Sequence, residues 1–275
     1  MKRRELFQLL ALSSMATALP GGLAGCTRSV TVGGVTAPTF GSRVRVQGAS
    51  GRIVELDVTS GIATVFDEGV ETAELELADH AYPSAVALAN DGRIAVVDAS
   101  ARTVTVFDAT LRAIATLGRP ELEGPSSAAF DAHGTLLVAD SSTHRVVLFG
   151  PDLARHGSFG GLGTSLGELN GPRGLAVDAS RHVHVVDTGN ARIQVFDSRG
   201  ALASRFGTYG RGDGQFVAPR SICVDGIGRV HVADPVRGDV QVFEQGSLVD
   251  TFVPPRGRPI AVAATLDGGV HITVA

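Results

Sequence analysis

His182 and His184 stand two residues apart in "RHVHVVDTGNARIQVF", Arg181 to Phe196. In a strand such a spacing puts both imidazoles on one face. A metal ion could use them, provided every donor nitrogen came within about 2 Å of it. A second group is a recurring carboxylate, Asp98, Asp140, Asp187 and Asp234, which would form an acidic ring if the chain brought its members together. A third is Arg173, Arg220 and Arg258, whose planar guanidinium groups suit a carboxylate or a phosphate. Which chemistry is available depends on the elements that position these side chains.

Those elements repeat. Five segments align without gaps from Pro83, Pro125, Pro172, Pro219 and Pro259, among them "PRGLAVDASRHVHVVDTGNARIQVFD" and "PRSICVDGIGRVHVADPVRGDVQVFE". Nine residues after the proline comes Gly92, Gly134, Gly228 or Gly268, with Arg181 the exception. Fifteen after it comes the aspartate, and twenty-four after it Phe107, Phe149, Phe196 or Phe243. A degenerate copy from Val32 places Gly41 at nine and Leu56 at twenty-four. Each copy reads as short β-branched runs separated by Gly, Asn, Asp and Ser clusters, the pattern of strands and hairpins. Four antiparallel strands every 40 to 50 residues mark a β-propeller blade. The expected fold is all-β, a six-bladed β-propeller of four-stranded blades with the last blade incomplete. The copy from Pro259 reaches Ala275 after two inner strands. With Val32 opening the first copy, little chain is left at the N-terminus to complete it. An exposed edge is the expected result.

The Pro-x-Gly start, the Asp187-x-x-Asn190-x-Arg192 turn and the Gly-rich linker ending in Phe216-x-x-Pro219 resemble the NHL repeat. The resemblance runs from Val32 to the C-terminus and is strongest in the copies at Pro125, Pro172 and Pro219. It implies a six-bladed propeller and no single function, because propellers host enzymes, ligand binders and docking platforms alike.

The repeat changes the reading of the chemistry. His184, His231 and His271 share one repeat position. Equivalent side chains in a ring of blades point in the same rotational sense and do not converge on one ion. They are expected between blades, with His182 exposed beside a turn. The recurrent aspartates are expected to cap backbone N–H groups two residues on and to pair with Arg145 and Arg192. Only residues at the axis can converge. The innermost strand starts with Ser84, Ser126, Arg173, Arg220 and Ile260, and Arg258 precedes Pro259. Ser84, Ser126, Arg173, Arg220 and Arg258 are the candidate ligand-binding residues at the channel mouth. "GGLGTSLG", Gly160 to Gly167, lacks the Lys-Ser/Thr of a phosphate loop and precedes a strand. No Gly-x-Ser-x-Gly or His-Glu-x-x-His motif is present. No catalytic residue, metal ligand or cofactor is assigned. A binding scaffold without chemistry is the leading expectation. An axis-site lyase or hydrolase, using a divalent metal, is the alternative.

Residues 1–25 have a basic start, an apolar middle and small residues before Cys26, which reads as a secretory signal. "LAGC" resembles a bacterial lipobox, implying lipidation of Cys26, and Arg3-Arg4 resembles a twin-arginine motif. Residues 26–31 would be a tether and 32–275 the propeller. The protein is then expected to be exported and anchored to a bacterial membrane by lipid, with an envelope protein or polysaccharide as partner. The net charge is −4, and removing residues 1–25, which carry +2, leaves −6. An acidic body argues against nucleic acid, where affinity comes from neutralising phosphates. Cys223 falls at a position held elsewhere by Ala87, Ala129, Ala176 and Ala263, and reads as a small buried residue.

Overall fold

A computed structural model describes residues 31–275, apart from positions 33–34, 37–38, 42, 49, 58–59, 76, 78–82 and 266. The export signal with Arg3 and Arg4, and the lipidation site Cys26, lie outside the described residues.

Five antiparallel sheets have four strands each, and a sixth has three. Their innermost strands are Val44–Gln47, Pro83–Leu88, Pro125–Phe130, Gly174–Val177, Ser221–Val224 and Pro259–Ala264. Each packs on the next, and Pro259–Ala264 packs on Val44–Gln47, so the circle closes. This is a six-bladed β-propeller, with blades numbered here from the one that begins at Val44.

The second strands of blades 2 to 5 are covered on both faces. Ile94–Asp98, Leu136–Asp140, Val183–Asp187 and Val230–Asp234 are buried throughout. The fourth strands, such as Ala113–Leu117 and Leu202–Phe206, are mostly exposed or half-buried. The recurring phenylalanine marks a β-bulge between third and fourth strands, with register shifts at Phe66, Phe107, Phe149, Phe196 and Phe243. The glycine at repeat position nine closes the first hairpin at positive φ, 86° at Gly92 and at Gly228. Arg181 takes the same left-handed conformation, φ 66°, at a cost of roughly 1–2 kcal/mol for a side-chain-bearing residue. Its guanidinium is meanwhile drawn to the Asp131 carboxylate of blade 3 at 2.8 Å.

The first repeat is phased differently from the sequence expectation. Blade 1 runs through Val44–Gln47, Ile53–Asp57, Ile62–Asp67 and Val70–Glu74. Its anchor is Ser42, not Val32: Gly51, Asp57 and Phe66 then fall at nine, fifteen and twenty-four. The ten-residue correction releases the preceding segment. Thr39–Gly41 pairs in parallel with Val270–Val274 and supplies a third strand to blade 6. The last blade is therefore incomplete, as expected, but three-stranded. The N-terminal segment lends what the Val32 phasing had withheld.

Five seams between neighbouring blades are packed by clusters of buried apolar residues, for example Val186, Ile193 and Phe216 against Val230, Val232 and Phe243 between blades 4 and 5. Among the described residues no such cluster spans the sixth seam, from blade 6 to blade 1. There Thr273 donates its hydroxyl to the Arg43 carbonyl at 2.8 Å, and buried His271 lies within the electrostatic reach of Arg45.

Candidate functional site

The six innermost strands enclose a channel cavity of about 350 Å³. Its wall is largely aliphatic and small, with Val, Ala, Leu and Ile from every blade. Its polar groups are Gln47, the hydroxyls of Ser84, Ser126, Ser127 and Ser221, the Cys223 thiol, and two charges, Arg173 and Arg220. Among the described lining residues there is no carboxylate and no imidazole.

The arginines are neighbours because blades 4 and 5 approach closely. A Cβ placed on Gly174 would meet the Arg220 carbonyl oxygen at 2.8 Å and a Val186 methyl at 2.7 Å. Only glycine fits there, one residue from Arg173. Arg220 keeps more than a third of its surface exposed. Even so, its guanidinium is held below the ordinary arginine range, first by lost solvent at the mouth and second by repulsion from Arg173. The two positive charges thus destabilise each other, and an anion between them would relieve that.

The other mouth candidates are placed differently. Ser84 and Ser126 line the cavity, yet their hydroxyls are engaged. Ser84 donates to the Val97 carbonyl at 3.4 Å. The Ser126 hydroxyl lies within reach of the Ala139 carbonyl at 3.2 Å and, across the seam, of the Pro172 carbonyl at 2.8 Å, and its one proton serves either. Arg258 is exposed but is not part of the cavity wall. Arg43 was missed: with the phase corrected it holds the same repeat position as Arg173 and Arg220. It does not line the cavity, and its guanidinium turns to Glu55 at 3.7 Å and Asp57 at 3.6 Å. Cys223 is buried, and burial, reinforced by Asp225, pushes its thiol far above the ordinary range, so it is no nucleophile.

The histidines belong to the opposite end of the blades, near the first hairpin turn. His184 Nε2 and His182 Nδ1 both lie on Asp178 Oδ2, at 3.1 and 3.2 Å. In blade 5, His231 Nε2 lies on Asp225 Oδ2 at 2.9 Å, and Arg229 joins the same oxygen at 2.8 Å. The aspartate six residues after the proline was not singled out in the sequence, although Asp131, Asp178 and Asp225 repeat there. Each also caps its own turn, as Asp225 does for Ile227 N and Arg229 N. His182, expected to be exposed beside a turn, has a half-exposed side chain and is held by the Asp178 carboxylate. No three metal-capable side chains gather among the described residues.

The aspartate at position fifteen serves the linkers. Asp187, fully buried, accepts Asn170 N at 2.7 Å, Arg192 Nε at 2.7 Å, Asn190 Nδ2 at 2.9 Å and Gln194 Nε2 at 3.2 Å. Arg192 and Gln194 continue to carbonyls at Thr164, Ser165 and Glu168 of the Gly-rich linker. Arg145 departs from the expectation and donates to the Glu121 carbonyl rather than to Asp140. Blade 5 reverses the charges. Asp234 takes Val217 N and Ala218 N, while Arg237 replaces the asparagine and pairs with Asp239 at 2.8 Å. Burial, ahead of the charges of Asp234 and Asp213, raises the Asp239 carboxyl despite Arg237.

The class this geometry defines is a β-propeller with a two-arginine channel mouth. Residues 169–196, from the end of the linker through the third strand of blade 4, match the NHL repeat. No curated protein sequence matches the chain. Among solved structures it is similar to a virginiamycin B lyase from Staphylococcus aureus (12% identity over 86% of this chain and 77% of that one, TM-score 0.65). It is also similar to a gluconolactonase from Xanthomonas campestris (21% identity, 85% and 84%, TM-score 0.66), and to the nidogen–laminin complex (18% identity, 85% and 86%, TM-score 0.61). At these identities the likeness is one of fold.

Proposed function

We propose that this chain is an exported, lipid-anchored binding propeller whose partner, an envelope protein or polysaccharide, presents a carboxylate or phosphate to Arg173 and Arg220. The observation that carries the reading is the channel mouth itself, with arginines from two neighbouring blades and no carboxylate among the described lining residues. Arginine forks bind such oxyanions bidentately, and charge-assisted bonds are about twice as strong as neutral ones. Acid–base chemistry at the axis would call for a titratable pair in unlike environments. Among the described residues the wall offers arginines, hydroxyls, the Gln47 amide and the unreactive Cys223 thiol, which favours binding over turnover.

Calorimetric titration of the folded protein with D-galacturonate, inorganic phosphate and neutral D-galactose tests this. The acid or the phosphate is expected to bind and galactose not to. Arg173→Ala and Arg220→Ala are each expected to weaken binding about tenfold or more, the equivalent of about 1.4 kcal/mol. Equal affinity for galactose, or full affinity in both variants, would overturn the reading.

A further inference from the structure

The positive charge at the mouth extends outward. The strand order sends the described inter-blade linkers from the outermost strand of one blade to the innermost strand of the next, across the face that bears Arg173 and Arg220. Side chains confirm that linkers, anchors and second turns share this face. Thr188, in the turn of blade 4, donates to the Pro219 carbonyl at 2.8 Å, and Asp234 holds the end of the linker at Val217 and Ala218. Two of these spokes, residues 207–216 and 253–258, converge on blades 5 and 6. They carry Tyr209, Arg211, Arg256 and Arg258, all exposed. Against these three arginines, with Arg173 and Arg220, stands one acid, Asp213, which leaves a net +4 on a sector of a body that totals −6.

The charge is available. Most arginines elsewhere are committed: Arg52 to Asp67, Arg93 to Asp91, Arg119 to Glu123, Arg192 to Asp187 and Arg229 to Asp225, all within 2.6–2.8 Å. Among the described residues none of the five on this sector has an ion-pair partner. Glycines separate the charged residues, as in Tyr209-Gly-Arg-Gly-Asp-Gly and Arg256-Gly-Arg, so the spokes are low and their side chains stand clear. Tyr209 is 74% exposed and offers a ring face.

We infer that the mouth is the inner end of a longer site for an acidic polysaccharide, a chain of sugars with repeated carboxylates. The inference rests on the reading under Proposed function. The arginines of the two spokes would pair with successive carboxylates, and Tyr209 would lie against the C–H face of a sugar ring. A protein partner is the less suited occupant. Protein interfaces centre on an apolar core with charge at the rim. Here the centre is charged; Val253 is exposed on the second spoke, but the exposed apolar pair Leu162 and Leu166 stands on a different linker, between blades 3 and 4.

The test is a length series of oligogalacturonates, monomer to hexamer, titrated into detergent-solubilised full-length protein at low salt, with hexaglutamate as the peptide control. Affinity is expected to rise at least tenfold from monomer to hexamer. Salt should weaken the hexamer more than the monomer, because surface charges are screened. The triple variant Arg211→Ala, Arg256→Ala, Arg258→Ala is expected to keep the monomer affinity and lose the gain with length. Monomer binding with no gain overturns the extended site and leaves the mouth reading intact. Absence of monomer and phosphate binding overturns the mouth reading itself. Hexaglutamate binding as tightly as the hexamer overturns the polysaccharide assignment. A triple variant that keeps the full gain overturns the role of the spokes.

Discussion

Arg43 in blade 1 and Arg173 in blade 4 hold the same repeat position, and only one lines the channel cavity. The difference lies in the second strand behind each. In blade 4 the aspartate at position fifteen, Asp187, is fully buried and used by a linker amide, Asn190, Arg192 and Gln194. Nothing of it reaches Arg173. In blade 1 the equivalent Asp57 meets Arg43, and Glu55 adds a second carboxylate where blade 4 has Val185. The repeat position sets where a guanidinium begins. The neighbouring carboxylates set whether its charge is available.

The largest effect that can break this contrast is expected from Asp187→Ala. It leaves Arg192 buried without its carboxylate, and uncoupling such a pair costs about 3–5 kcal/mol. Asp57→Ala, facing a half-exposed arginine, should cost less than about 1 kcal/mol. Urea unfolding of both variants checks this, and equal losses would show that the two aspartates have the same role. Next, Glu55→Gln with Asp57→Asn releases Arg43. If the repeat position aims it at the mouth, galacturonate affinity should rise by about threefold, roughly 0.6 kcal/mol. Unchanged affinity would mean that Arg43 is directed elsewhere by its backbone.

The smallest expected effect concerns the seam beside Arg43. Burial, and then the Arg45 charge, hold the His271 imidazole below its usual range, against a hydrogen bond with the Arg43 backbone. The folded state therefore resists protonation more than the unfolded state does. Stability is full above about pH 6.5 and is lost as pH falls below it toward the folded value. Melting between pH 7 and 5 should show His271→Gln losing about 2 °C less than the parent. An identical slope would show that the histidine is not the titrating group.

Most of the fold was legible in the sequence, because Pro, Gly, Asp and Phe recur at fixed positions for physical reasons: strand start, positive φ, linker latch and bulge. The phase of blade 1 was not. Within a blade the strands themselves recur every nine or ten residues, so a slip of one strand keeps the apolar pattern and exchanges Phe66 for Leu56. Gly51, Asp57 and Phe66 together were the signal that could have fixed it. At the site, Arg173 and Arg220 followed from ring position. The engagement of Ser126 across a seam did not, because a hydroxyl's partner depends on the next blade. His184 and His231 were expected between blades, and both are buried. Their shared carboxylates, Asp178 and Asp225, were legible only by comparing a repeat position that looked like an ordinary turn.

Blade 6 joins segments about 230 residues apart in sequence, Thr39–Gly41 and Val270–Val274. Each of the five four-stranded blades can assemble from a local stretch as it is synthesised, but this three-stranded one must wait for both. Loop closure over such a span costs entropy that grows only slowly with length, and among the described residues no buried apolar cluster spans the seam beside it. The strand 39–41 then acts as a clasp. In hydrogen exchange its amides should open first and independently of blades 3 to 5, and a pull on the chain preceding Thr39 would be felt at this clasp before any other part of the ring.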